Sequence, residues 1–240
     1  MAAALTDACI INHNSSEFTE LALRTLIRTH QHRIDDGELR ITVIDNHSTD
    51  EGLDNLRNAV RELPATWERS PWPAADSTVN SHGDVLRAFV QAHEDASHLW
   101  FVDADIVFRQ PDCLGVMLTD LAARPDLWAV QARFHWLESN HGPGTSLNIW
   151  AGRHQRLWAG IGQPPDRPFP GSHKRRCHPA CALVANTPTF RRVTDIIGLS
   201  AALIISVDER LAGFADTLGL ASLAMETHGL HLRWSPFFGQ

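Results

Sequence analysis

Through the first 110 residues, short apolar runs alternate with stretches whose apolar positions recur every three or four residues. That alternation predicts strand–helix units on a largely parallel sheet, an α/β fold. Ala8 to Asn12 reads as a buried strand, and Ser15 or Ser16 stands where it can cap a helix with Phe18, Leu21, Thr25 and Leu26 on one face. Ile41 to Ile44 reads as a second strand ending in Asp45-Asn46. Ser48 and Glu51 have capping-box spacing ahead of a stripe of Leu53, Leu56 and Val60. After a connection containing Pro64, Pro71, Trp72 and Pro73, a third helix is expected from near Ser81. There Asp84 complements the helix start, and Val85, Leu86, Phe89 and Val90 face the sheet. His98 to Val102 then forms a central strand running into Asp103-Ala104-Asp105.

Three polar clusters therefore fall at carboxyl ends of strands: Asn12 with Asn14, Asp45 with Asn46, and Asp103 with Asp105. In an open α/β sheet that edge binds ligands. The second half is less regular. Leu127 to Ala132 and Ala182 to Ala185 read as strands, and the Gly- and Pro-rich stretch from Asn140 to Gly171 separates them. Trp136, just before this stretch, and Trp150 and Trp158 within it are either packing residues or stacking platforms for a ligand.

Composition narrows the function classes. The 240 residues suffice for one large domain with a substantial core, and 43% hydrophobic with 20% charged residues is ordinary for a globular chain. A net charge of −7 argues against a nucleic-acid partner. The basic run Lys174-Arg175-Arg176, which holds the only lysine, is a local feature. No apolar stretch reaches membrane-spanning length, and the amino terminus lacks the pattern of a signal peptide, so a cytoplasmic location is expected. Cys9 and Cys113 read as small core residues. Cys177 and Cys181, near His173 and His178, raise the question of a metal site, although their spacing matches no common zinc pattern.

The most informative chemistry lies at the aspartates. Two carboxylates one residue apart, just past a strand, can converge on a divalent cation, and hard oxygen ligands in small number suit Mg²⁺ or Mn²⁺ holding a diphosphate. Such a cation offsets the charge that develops as a nucleoside diphosphate departs from a sugar.

The residues around these positions resemble the family-2 glycosyltransferases and their GT-A relatives. Ile10-Ile11-Asn12-His13-Asn14 is similar to the family's opening strand, and Val43-Ile44-Asp45-Asn46-His47-Ser48-Thr49-Asp50 to its second-strand signature. Phe101-Val102-Asp103-Ala104-Asp105 is similar to the metal-binding strand. The resemblance implies a single GT-A domain over residues 1–240, with a nucleotide-sugar half (1–110) and an acceptor half (111–240). It also implies an enzyme moving a sugar from a nucleotide-diphosphate donor to a hydroxyl of a small molecule, peptide or glycan. Asp45 would contact the nucleobase or ribose, with Asn12, Asn14 and Asn46 lining the nucleotide site. Asp105 would be the principal metal ligand, and Asp103 would contact the ribose or the metal-bound diphosphate. The family's acidic pair opening a helix, followed by Leu and a later Gly, is matched by Asp208, Leu211 and Gly219. By that resemblance Asp208 would be the candidate general base of an inverting transfer. Val207 replaces the usual Glu, and Glu209 is the reserve. A late metal-binding histidine would be His231, or else His228.

Two other enzyme classes come into question. A nucleotidyltransferase shares the nucleotide-binding architecture but usually opens with a Gly-rich, basic loop, where this chain has Asn12-His13-Asn14-Ser15-Ser16. In a haloacid-dehalogenase-type phosphatase Asp103 would be the nucleophile, but that motif belongs on a first strand. A binding protein on a decayed transferase fold is the non-enzyme possibility, and retention of both aspartates argues against it.

Overall fold

A strand can be buried along its whole length only when both faces of its sheet are covered. Thr6–Asn12 is such a strand. It is β1 in the computed structural model, which describes residues 4–72, 82–132, 177–205 and 211–234. The chain continues through α1 (Ser16–Asp35), β2 (Leu39–Asp45), α2 (Leu53–Glu62), β3 (Thr66–Arg69), α3 (His82–Ala92) and β4 (His98–Asp103). Next come α4 (Cys113–Ala122), β5 (Leu127–Gln131), β6 (Cys181–Ala185) and α5 (Pro188–Ile197). The last elements are β7 (Ala202–Ile205), β8 (Leu211–Ala215), α6 (Gly219–Thr227) and β9 (His231–Trp234).

Seven strands form one sheet in the order β3-β2-β1-β4-β6-β5-β9, and β7 pairs with β8 in a separate antiparallel ribbon. β3, β2, β1 and β4 are mutually parallel, while β6 runs against both β4 and β5. Helices cover both faces. Leu23, Leu26 and Ile27 of α1, Leu56 and Val60 of α2 and Leu114 and Met117 of α4 pack with Ile10, Val43, Trp100 and Val102 on one side. On the other, Val85, Leu86 and Phe89 of α3, Phe190 of α5 and Ala221 and Met225 of α6 pack with Ile11, Leu99, Phe101 and Trp128. The alternation along β4 thus sends Trp100 and Val102 one way and Leu99 and Phe101 the other, which is why the strand reads as continuously apolar.

Local geometry differs from the sequence expectation at several points. The buried stripe of α1 is Thr19, Ala22, Leu23, Leu26 and Ile27, while Phe18 and Leu21 are exposed at 61% and 47%. Large apolar side chains at the first turn drew the expected face away from the true one. Neither Ser15 nor Ser16 caps α1 with its side chain; the Asp50 carboxylate accepts from the Ser16 N–H at 3.0 Å and from its hydroxyl at 2.9 Å. Ser48 and Glu51 form no capping box either, because α2 starts only at Leu53 behind Gly52. β3 lies at the sheet edge with only Trp67 half-buried, so it carries no apolar run to signal a strand. The segment matched to a helix opened by Asp208 also differs: Leu211 begins β8, which pairs with β7, and the helix begins at Gly219.

Candidate functional site

β1 leads through α1 to β2 and through α2 to β3 on one side, whereas β4 joins the opposite side of β1. The chain therefore reverses its winding direction between β1 and β4, and the crevice at their carboxyl ends is where such sheets bind ligands. Register aligns Asn12 with Asp45 and Ile11 with Asp103. Asp45 and Asp103 thus flank β1 at one level, two strand spacings or about 10 Å apart.

Asn12 is fully buried and organises this edge. Its amide nitrogen donates to the hydroxyls of Ser16 at 3.0 Å and Ser48 at 2.9 Å, and lies 3.4 Å from Asp45 Oδ1. Its Oδ1 accepts from the Thr19 hydroxyl at 2.9 Å. Asn14, in the left-handed region at φ 51°, donates its N–H to Ser48 Oγ at 3.0 Å and accepts from the Thr49 N–H at 2.8 Å. His13 Nδ1–H donates to the Asn46 carbonyl at 2.8 Å, and Asn46 N–H to the Asn12 carbonyl at 2.8 Å. The first two strand–helix loops are thereby sewn together by side chains more than thirty residues apart in sequence. Asn12 and Asn14, read from the sequence as nucleotide contacts, spend their hydrogen-bonding groups largely within this scaffold. Asp45 is 3% exposed, its Oδ1 also accepting from the Ser48 N–H at 3.2 Å. Its neighbours His47 and Arg69 approach each other at 3.4 Å on the β2–β3 side of the same edge.

Asp103 ends β4 with its backbone held on two sides. Its N–H donates to the Ala180 carbonyl at 2.8 Å, and its carbonyl accepts from the Ile106 N–H at 3.3 Å. The resulting turn leaves Asp103 half-buried and Asp105 exposed, both at the mouth of the crevice. Two hard carboxylates on a fixed turn fit Mg²⁺ or Mn²⁺. Among the described residues no group of three His, Cys, Asp or Glu side chains could hold a metal.

His82, the first residue of α3, places Nε2 3.8 Å from Asp103 Oδ1. Burial pushes its imidazole down to about 4, against the opposing pull of the Asp216 carboxylate, so at neutral pH the ring is uncharged. Sequence reading passed over this residue because one histidine among fourteen carries no local signal.

No protein-family model matches the sequence, and no curated protein matches it. Solved structures do. Mannosyltransferase PcManGT from Pyrobaculum calidifontis, in complex with GDP-Man and Mn²⁺, superposes with a TM-score of 0.59 at 15% identity over 98% of this chain. Glucosyl-3-phosphoglycerate synthase from Mycobacterium tuberculosis, with Mn²⁺, UDP and phosphoglyceric acid, gives 0.53 at 13% identity over 97%. This is the fold of the GT-A glycosyltransferases. The chain spans 55% of the length of the first and 68% of the second.

Within that fold the remaining sequence-predicted residues fall as follows. His231 does not join the aspartates. It opens β9 beside Leu127, at the amino-terminal edge of the sheet, with Nε2 3.8 Å from Asp126. That edge is a strand length, about 16 Å, from Asp103. His228, at the carboxyl end of α6 and three residues before β9, lies toward the same edge. Sequence spacing could not reveal this because it does not say which end of a late strand faces the site. Asp208 and Glu209 lie outside the described residues, as do Trp136, Trp150, Trp158 and His173. Cys177 is buried in the core on the Phe101 side of the sheet and Cys181 in the core on the Trp100 side. Burial pushes the Cys181 thiol up to about 12, so it is protonated, and Cys9 and Cys113 are buried core residues as expected. Among the described residues no helix is long and apolar enough to cross a membrane.

Proposed function

We propose that the chain is a metal-dependent glycosyltransferase that moves a sugar from a nucleoside-diphosphate donor to an acceptor hydroxyl. The observation that carries this reading is the Asp103-Ala104-Asp105 turn at the winding reversal of a GT-A fold. Support also comes from the similar structures, which contain Mn²⁺ with GDP-Man or UDP. The crevice between β1 and β4 receives the donor, with Asp45 toward the nucleobase or ribose and Asn46 beside it. The Asn12–Ser48–Asn14 network keeps the two loops around the nucleotide in fixed relation, so little ordering entropy is spent on binding. Asp105, the more exposed carboxylate, is the principal protein ligand of Mn²⁺ or Mg²⁺, and Asp103 faces the ribose or diphosphate beside it. When bound, the cation would offset the charge developing on the leaving diphosphate. Asp208, with Glu209 in reserve, takes the acceptor proton in an inverting displacement. A haloacid-dehalogenase-type phosphatase with Asp103 as nucleophile finds no support, since that aspartate follows the fourth strand in chain order.

The test is a thermal-shift screen of UDP, GDP, dTDP and CDP, each with and without Mn²⁺. A ligand that binds the folded state alone raises its midpoint by mass action. A shift with one diphosphate that requires Mn²⁺ is expected. Silence across all four would count against the reading and bring phosphatase assays forward.

A further inference from the structure

The amino end of α3 is fitted into the site more closely than its sequence suggests. Gly83 lies so near the Leu199–Ser200 backbone that a Cβ there would stand 2.3 Å from Ser200 Cα and 2.5 Å from the Leu199 carbonyl. Any side chain at 83 would force α3 outward, so the glycine is required by close approach rather than by its dihedral angles. One residue on, the Ser200 hydroxyl donates to Asp84 Oδ1 at 2.6 Å, and Trp72 Nε1–H donates to the Asp84 carbonyl at 3.1 Å. The 199–200 segment is tied in turn to the start of α6, where Leu218 N–H donates to the Leu199 carbonyl at 2.8 Å. His82 sits at the head of this assembly. Its ring therefore has a fixed origin, and its Nε2 stands 3.8 Å from Oδ1 of Asp103, the carboxylate beside Asp105 on the same turn.

We propose that His82 is a positioning residue for Asp103: its imidazole, anchored by the Gly83–Ser200 contact and the Asp84–Ser200 clasp, sets the direction of the Asp103 carboxylate for metal-dependent diphosphate binding. The inference rests on the transferase reading above. Partners standing behind a metal-site carboxylate typically change metal affinity or activity 10- to 100-fold when removed.

The experiment is a calorimetric titration of the wild type, His82→Ala and His82→Gln with the nucleoside diphosphate selected by the screen, with and without Mn²⁺. Melting midpoints of the ligand-free proteins are recorded alongside. The expected result is a loss of about 10- to 100-fold in Mn²⁺-dependent affinity for His82→Ala. The glutamine, which keeps an N–H donor, should recover most of it, and the ligand-free midpoints should stay together. Ser200→Ala, which removes the clasp on Asp84, should weaken binding in the same direction by less, and it serves as the test if His82→Ala does not fold. Should the wild type show no Mn²⁺-dependent binding, the transferase reading falls and this inference with it. If the wild type binds and the folded His82 or Ser200 variants bind equally well, the inference alone is overturned. A loss accompanied by an equal loss of Mn²⁺-independent binding would overturn it too, since that describes a general collapse of the crevice.

Discussion

The two edges of the sheet both carry aspartates and hold them differently. At the amino-terminal edge Asp7, 1% exposed, is closed by Arg40 through two bonds of 2.6 Å and by His93 at 2.7 Å, with Asp95 adding a second carboxylate to Arg40. Burial raises the Asp7 carboxyl, but these partners override it and hold it below its ordinary value. Asp126 is likewise paired with Arg124. At the carboxyl-terminal edge Asn12 and Asn14 bond to the Ser16 and Ser48 hydroxyls, and the His82 imidazole stands 3.8 Å from Asp103. A carboxylate closed by arginine inside the fold serves the fold; exposed Asp105, just past the end of β4, is open to a cation from outside.

The comparison can be broken most severely at the carboxyl-terminal edge. Asp105→Ala should lower turnover by about 10³-fold or more, because several kcal/mol of transition-state stabilisation depends on the cation. Its melting midpoint should stay close to wild type, since the side chain is exposed. Steady-state kinetics and a melt on the same sample decide the matter. Asn12→Leu should cost about 2–4 kcal/mol in urea denaturation, because the Ser16, Ser48 and Thr19 hydroxyls lose a buried partner. It should also weaken nucleotide binding, since the same bonds join the two loops. At the other edge, Asp7→Asn should cost about 2 kcal/mol, tempered by the freedom of half-exposed Arg40 to turn toward solvent. Its diphosphate affinity should be unchanged; a fall would mean that the edges are coupled.

The smallest effect is a pH dependence. His30 is buried, donates Nδ1–H to the Leu26 carbonyl at 2.9 Å and accepts the Leu114 N–H at Nε2 at 3.2 Å, joining the kink of α1 to the start of α4. Burial lowers its pKa and that of His98. A histidine depressed in the folded state favours folding while neutral, so this stability is complete above about 6.5, the unfolded value, and is lost as pH falls below it. Urea midpoints should decline from pH 7 to pH 5, and His30→Gln should flatten that decline.

Much of the first half of the fold was legible in sequence, because β1, β2 and β4 are doubly covered strands that end in polar residues. That pattern puts Asp45 at the end of β2, Asp103 at the end of β4 and Asp105 two residues beyond it, as the structure has them. The illegible parts have physical causes. Ser48 and Asp50 look like local helix caps, yet they serve residues more than thirty positions away, Asn12, Asn14 and Ser16. Phe18 and Leu21 advertise the wrong face of α1 because exposed apolar residues read the same as buried ones. His231 fitted a spacing but not an edge, and His82 reached the site through a glycine contact that no linear pattern encodes.

The central claim is that Asp105 holds a cation through which a nucleoside diphosphate binds. Its most direct test is the Mn²⁺-dependent affinity of that diphosphate for the wild type and for Asp105→Ala, titrated under identical conditions. Tight binding that needs Mn²⁺ in the wild type and disappears in the folded variant is the predicted result. Equal Mn²⁺-dependent binding by both proteins would contradict the account.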